Sequence, residues 1–546
     1  MLMVSSGAVF ALYNLENYWG ALPFAFLIVV LISALLFALS KRPAFSLYTA
    51  FMLVGLVTVI SLIKFKMKGF SLHFYDILFV GSDPRAAEFL LGTYARLVVP
   101  ALVFAVVIMV ASIVLFIYDR KIEINTRRLM AGILLPAFLL PVTYPSEARE
   151  GRYVYYLQGR HVSAFFVSLL DLQYMFSDGE MERRLAAAKP QKPFSKAVTC
   201  ADNAPDIFVV LSETQADPAK FPQLKNGKKL NQRMAKANGP LQPLIVETFG
   251  GGTWITNLSF LTGLPATEFG WRSPYLTIEL EGKVRGALPE LLSDCGYRTV
   301  TIMPFEQGFV NEGPFLTSVG FQEIYDKDAI GASSYKMRDR FYYQAAEKII
   351  ADKKEGDNRP LFLLIQTMYP HSPYDMRKDP EIVLKGEPFN NDPQIAEYLR
   401  RILIARQDLS KFFKGRQRQV DSRGAVFLDF GDHQSFVTRS MVEEIAGEGA
   451  MGKPGALPYQ TFYTMRFVGP SGERVMKDQT PVDIGFLGSR VLRFAGLATS
   501  EMWDDIARLD GLCKGRLFAC ADKQQVTNHL RRRIDSGLLD IKIAAQ

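Results

Sequence analysis

The sequence predicts an α-helical transmembrane domain followed by an α/β domain with a mainly parallel central sheet and helices on both faces. Three features lead there. Long apolar runs crowd residues 1–145. Residues 146–204 are mixed and end in a Pro-, Lys- and Ala-rich stretch. From 205 to 546 short apolar strands alternate with helical segments. The 546 residues exceed one hydrophobic core. Hydrophobic residues make up 49% and mean hydropathy is +0.08, with the excess at the N-terminal end. Net charge is +8 with no basic tail. A membrane surface accounts for that sign more simply than nucleic acid, so no nucleic-acid partner is expected.

The apolar runs are residues 21–39, 46–63, 97–117 and 129–142. The first three are long enough to cross a ~30 Å hydrocarbon core, and the fourth is short. Residues 3–13 are too short for a clear fifth span, and the basic n-region of a cleaved signal peptide is missing. Lys41 and Arg42 follow the first span, and Arg120, Lys121, Arg127 and Arg128 follow the third. The positive-inside rule puts both loops in the cytoplasm and everything after Tyr144 outside, which is the periplasm of a Gram-negative cell. Lys64, Lys66 and Lys68 fall on the outer side, against the rule, where anionic headgroups or substrate can account for them. Residues 162–176 read either as an amphipathic helix in the interface or as a core helix of the next domain. Residues 189–205 read as a linker.

In the outer domain the expected strands are 206–211, 299–303, 361–366, 425–430 and 463–468. The expected helices include 287–295, 334–353 and 395–413. Ligands of such sheets bind beyond the carboxyl ends of the strands. Glu213 follows the first strand, His371 the third, and Asp432 and His433 the fourth.

Between the first two of these strands lies TFGGGTWITNLSFLTGLP, residues 248–265. Glycines 250–252 let backbone N–H groups close on an anion, and a helix starting at Thr253 aims its positive dipole end at the same point. Thr253 is then either a hydroxyl placed for covalent phosphoryl or sulfuryl transfer or only an N-cap. A Glu after a strand can cap a helix, a lone His is often structural, and Asp-His can be a turn. Together with Thr253 they supply oxygen and nitrogen ligands for one divalent metal, which would acidify the Thr253 hydroxyl and hold a phosphate oxygen. His371 either joins that site or orients its loop. Asp429, inside the fourth strand, reads as a partner of the site or as a satisfied core acid, with the first reading preferred. Of the four cysteines, Cys513 and Cys520 either pair in an oxidising compartment or stay as buried thiols.

The pieces APDIFVVLSET, TFGGGTWITNLSFLTG, GYRTVTIMPFEQGFVNEGPFLTSVGFQEIYD, QTMYPHSPY and FLDFGDH, with KFKMKGFSLHFYD in the membrane part, resemble the alkaline phosphatase–sulfatase superfamily. They are most similar to its lipoteichoic acid synthase and periplasmic glucan phosphoglycerol transferase branch. The resemblance implies a sulfatase-like domain in which Thr253 is nucleophile and metal ligand, and Glu213, Asp432 and His433 complete the ligand set. It implies His371 as a binder of the glycerol phosphate headgroup. Gly251, Gly252 and Asn311 join His371 as candidate substrate-binding residues. The implied metal is manganese, with magnesium or zinc as alternatives. Two departures stand out. Val310 and Glu312 occupy positions where the family often has Trp and Arg, and Asn257 replaces a common Glu. A charged Glu312 would repel a phosphate that Arg would hold.

The resulting expectation is a multi-pass enzyme of the inner membrane with a periplasmic catalytic domain. It would move phosphoglycerol from phosphatidylglycerol, an anionic phospholipid, to a periplasmic or cell-envelope glycan through a phosphothreonine intermediate. The alternatives are a phosphoethanolamine transferase, a hydrolase of sulfatase or phosphodiesterase type and, from another class, a non-catalytic lipid-binding regulatory protein.

Overall fold

The computed structural model describes residues 16, 19–68, 71–74, 76–77, 84–145, 155–156, 159–171, 180–224, 226–334, 337–352, 357–447, 450–451, 453, 455–470, 472–497, 499–517 and 519–542. The chain divides into two compact units, Met1–Ser177 and Asp178–Gln546.

The first unit contains α1 (Leu22–Ser40), α2 (Pro43–Lys68), α3 (Pro84–Tyr118) and α4 (Thr126–Thr143). Each overlaps a segment long and apolar enough to cross a membrane: Trp19–Ser40, Pro43–Phe65, Val98–Tyr118 and Thr126–Thr143. Large apolar side chains such as Val103, Val107 and Phe138 are exposed, as expected where lipid replaces water as solvent. The fourth span is longer than its apolar run because Asn125 caps it, accepting from the Arg127 N–H at 2.8 Å. Residues 3–13 lie outside the described residues. Lys64 pairs with Asp76.

The helix expected over 162–176 is α5, Val162–Asp171, and residues 172–179 lie outside the described residues. It belongs to the first unit and is not a core helix of the next domain. Val162 packs with Ala25 and Val29 of α1 and Val54 of α2, so its apolar face is buried inside the first unit. Glu16, itself buried, accepts from the N–H groups of Val162 at 2.6 Å and Ser163 at 3.1 Å and so caps its N-terminus.

The second unit is built on a nine-stranded sheet. Its strands are β1 (Asp206–Ser212), β2 (Gln242–Ile245), β3 (Arg298–Ile302), β4 (Glu323–Tyr325), β5 (Leu361–Gln366), β6 (Ala425–Gly431), β7 (Gln460–Gly469), β8 (Gly472–Val475) and β9 (Val482–Asp483). The order is β4-β3-β5-β1-β6-β7-β2-β9, with β8 on β7. Strands β4, β3, β5, β1 and β6 are mutually parallel, and β7 runs antiparallel to β6, β2 and β8. All five expected strands are present. The four the sequence did not suggest have two to four residues each, too short for a hydrophobic period.

The central strands β1, β5 and β6 are apolar and buried on both faces, as a covered parallel sheet requires. On β1, Ile207, Val209 and Leu211 face one layer with Phe260 and Trp503. Phe208 and Val210 face the other, with Tyr342, Phe412 and Phe413. These partners lie on α6 (Thr253–Thr262), the helix Glu501–Leu512, α7 (Asp339–Ala351) and α8 (Pro393–Gln417).

Residues 189–205 are not a free linker. Phe194 is buried and its N–H donates to Ser536 Oγ at 2.7 Å, and Val198 bridges Ser500. Cys200 is bonded to Cys295, a pairing the sequence did not suggest, and Cys513 is bonded to Cys520.

Candidate active site

The carboxyl ends of β1 and β6 are adjacent, with Ser212 opposite Gly431. Glu213 and Asp432 are therefore neighbours as soon as the strands end. Thr214 takes φ 53, an uncommon backbone for a β-branched residue, and turns its N–H onto Asp432 Oδ1 at 2.6 Å. The His433 N–H reaches the same oxygen at 2.8 Å.

Thr253 enters from the other side. Gly250 and Gly252 have φ of 73 and 86, and a Cβ on Gly252 would lie 2.8 Å from Thr248 Oγ1. This turn starts α6 at Thr253 and so sets the helix N-terminus, the positive end of its dipole, beside the site. Thr256, almost one turn on, donates from Oγ1 to the Asp432 carbonyl at 2.7 Å and docks the helix.

The half-buried Thr253 Oγ1 is 2.8 Å from Asp432 Oδ2, 3.3 Å from Glu213 Oε2 and 3.4 Å from His433 Nε2. One ligand atom each from Glu213, Asp432 and His433 lies within 4.8 Å of the others. All three side chains are at most 2% exposed. Two buried carboxylates beside an imidazole call for a cation, since like charges taken out of water repel. His433 Nδ1 is 2.9 Å from the carbonyl oxygen of Gln434. A carbonyl only accepts, so Nδ1 carries the proton and Nε2 turns its lone pair to the cluster, the form that binds a metal. The donor set thus fits one divalent cation with oxygen and nitrogen ligands.

The remaining candidates divide. Gly251 and Gly252 form the turn itself. The Gly250 N–H is not available to an anion, because it donates to the Gln434 carbonyl at 3.0 Å. His371 stands half-buried on the loop after β5, with Nδ1 2.7 Å from the Ser372 carbonyl. Both amide hydrogens of Asn311 have partners elsewhere, the Thr277 carbonyl at 3.1 Å and Glu281 Oε2 at 2.8 Å, which leaves only its carbonyl oxygen for a ligand.

Two expectations change. Asp429 is a core acid held by Arg406 and Thr464, not a partner of the site. Glu312 is buried and its Oε1 accepts from Asn257 Nδ2 at 2.9 Å and Gln366 Nε2 at 3.0 Å. Burial pushes its carboxyl pKa up, and its Oε1 is held by these two amide donors rather than standing free. The departures at 257 and 312 are one contact, which two separate positions in sequence could not reveal.

The sequence reading missed Thr214, Thr256 and Gln434. Their signal was adjacency: each is within three residues of a ligand or the nucleophile. It also missed Glu247, which joins the chain before the glycine turn to α6 by accepting from Ser259 Oγ at 2.8 Å and from the Thr267 N–H. Burial raises its pKa to about 7.

With this geometry in place, residues 205–454 match the Sulfatase family model. The match spans just under half of the chain, and the domain it covers is sulfatase-like. An uncharacterized protein of Haemophilus influenzae is 24% identical over 363 residues, covering 61% of this chain and 62% of its own length. A putative cyclic beta-1,2-glucan modification protein of Rhizobium meliloti is 25% identical over 254 residues, covering 45% of this chain and 38% of its own. The chain thus spans less than two thirds of either relative. Among solved structures, the integral membrane lipooligosaccharide phosphoethanolamine transferase A of Neisseria meningitidis superposes with a TM-score of 0.51 at 12% identity, covering 87% of this chain and 95% of its own. The two proteins share a fold.

Proposed function

We propose that this protein is a membrane-anchored, metal-dependent phosphotransferase that moves phosphoglycerol from phosphatidylglycerol to a periplasmic or cell-envelope glycan. The observation that carries the reading is the position of Thr253 Oγ1, within 3.4 Å of Asp432, Glu213 and His433. A divalent cation held by Glu213, Thr253, Asp432 and His433, manganese first and magnesium or zinc as alternatives, supplies Lewis acidity at the phosphate and lowers the pKa of the alcohol.

Asp432 Oδ2 accepts the Thr253 hydroxyl at 2.8 Å and orients its lone pairs. The Thr253 Oγ1–P bond forms as the P–O bond to diacylglycerol breaks. The threonine proton departs along its hydrogen bond, and diacylglycerol leaves with a proton on its oxygen. An acceptor sugar hydroxyl then bonds to phosphorus, the Thr253 Oγ1–P bond breaks, and the threonine regains a proton. The N–H groups at the start of α6, beside Gly251 and Gly252, steady the phosphate oxygens. His371, whose Nδ1 donates to the Ser372 carbonyl, receives the headgroup or relays the incoming hydroxyl's proton.

The glycan acceptor is supported by the printed name of the Rhizobium relative. Basic residues after the first and third spans support a periplasmic second unit, and the two disulfides suit that oxidising compartment. The shared architecture with the Neisseria transferase favours, as a second reading, phosphoethanolamine as the moved group. One experiment separates them. The purified enzyme is incubated with phosphatidylglycerol or phosphatidylethanolamine, and the mass added to the peptide containing Thr253 is measured. A phosphoglycerol adduct is expected, absent in Thr253→Ala. A phosphoethanolamine adduct moves the assignment to the second reading, and no adduct at Thr253 ends both.

A further inference from the structure

We propose that Arg401 is a positioning residue for this reaction: its guanidinium shapes the loop that carries His371 and, with Tyr374, fixes that loop to the segment of Asp432 and His433. The inference rests on the reading of His371 as a headgroup or acceptor residue.

Residues 367–392, between β5 and α8, contain no helix or strand. A loop of that length has no ladder to pair its carbonyls, and its shape must come from elsewhere. Arg401, on α8 and 1% exposed, provides it. Nη1 donates to the carbonyls of His371 at 3.0 Å and Pro373 at 2.9 Å, and Nη2 to that of Met376 at 2.8 Å. Nε is held by Glu397 at 2.7 Å. One planar fork thus fixes three points of the loop, including the backbone of His371 itself, which a single ammonium could not do.

The same guanidinium lies 5.0 Å from the centre of the Tyr374 ring. The Tyr374 hydroxyl donates to the Pro370 carbonyl at 2.8 Å and accepts from Ser435 Oγ at 2.9 Å. Ser435 is two residues past His433. A continuous path of packed and hydrogen-bonded groups therefore runs from Arg401 through Tyr374 to the metal-ligand segment, and both halves of the site are referenced to one buried cation. The carboxylate and imidazole ligands follow the ends of β1 and β6 and Thr253 starts α6, and the hydrogen bonds of Arg401 go to the His371 loop and Glu397 instead, so metal affinity should be independent of it.

The test uses the full-length enzyme with phosphatidylglycerol in nanodiscs. Arg401→Lys, His371→Ala and the double variant are compared for kcat, KM and manganese affinity. A displaced His371 predicts a fall in kcat/KM of about ten- to a hundredfold for Arg401→Lys. The double variant should be no slower than His371→Ala alone, with manganese affinity unchanged throughout. Independent, multiplicative losses, or manganese affinity falling with activity, would overturn the proposal. If Arg401→Lys does not fold, Tyr374→Phe replaces it: non-additivity with His371→Ala supports the path, and additivity overturns it. If His371→Ala has full activity, the inference falls with that role of His371, while the adduct on Thr253 still reports the proposed reaction.

Discussion

The carbonyl oxygen of Gln434 accepts both the Gly250 N–H at 3.0 Å and His433 Nδ1 at 2.9 Å, so one backbone atom positions the glycine turn and sets the histidine tautomer. The nucleophile's turn and the ligand's lone pair are therefore fixed together. Forming either in the wrong place disturbs the other, and this cooperation underlies the predictions about the centre.

Removing the metal should act on stability as well as activity. A cation that binds only the folded cluster adds about 2.7 kcal/mol at a hundred times its Kd. Chelation is expected to stop transfer and lower the melting temperature, and Mn²⁺ to restore both. Asp432→Asn should lose both responses. A melting temperature indifferent to chelator and Mn²⁺ would remove the metal site.

Glu312 binds the nucleophile helix to the end of β5. Glu312→Ala strands the amide donors of Asn257 and Gln366 in a buried space, at about 1–3 kcal/mol each. Glu312→Gln keeps the carbonyl that accepts both and should stay close to wild type in a thermal melt. Equal losses in the two variants would refute this role.

Glu247 should make stability depend on pH. Its carboxyl pKa is about 7 when folded against 4.5 for the ordinary group. Between these values the folded state holds the extra proton, so stability falls as pH rises from about 4.5 to about 7 and the loss is complete above that. The contribution is on the order of 3 kcal/mol. Asp339 and Glu279, also raised to about 7, act in the same direction, so the difference between variant and wild type is the measure. Glu247→Gln, which mimics the protonated acid towards Ser259 and Thr267, should flatten its share of the slope. An unchanged slope would exclude Glu247 as a source.

The two disulfides should differ in weight. Cys200–Cys295 spans 95 residues and Cys513–Cys520 spans 7. Chain entropy assigns about 4–5 kcal/mol to the first and about 2–3 kcal/mol to the second. Thermal melts of the paired Cys→Ser variants should keep that order.

Much of the molecule was legible in the chain because its signals are local. Apolar length marks a membrane helix, a buried parallel strand is a short continuous apolar run, and a glycine turn before a hydroxyl can be read from neighbours alone. Thr253, Glu213, Asp432 and His433 could be nominated because each follows such an element directly. The contact of Asn257 with Glu312, the position of Asp429 against Arg406, the Cys200–Cys295 bond and the grip of Arg401 on the His371 loop were not legible. Each joins residues at least 23 positions apart, and no local pattern encodes which distant partner a side chain meets. The sequence alone determined the kinds of element and the chemical inventory at their ends. Only the tertiary structure decided which of those groups converge and which buried acids remain in the core, because convergence depends on strand order and burial, properties of the packed sheet rather than of any one segment.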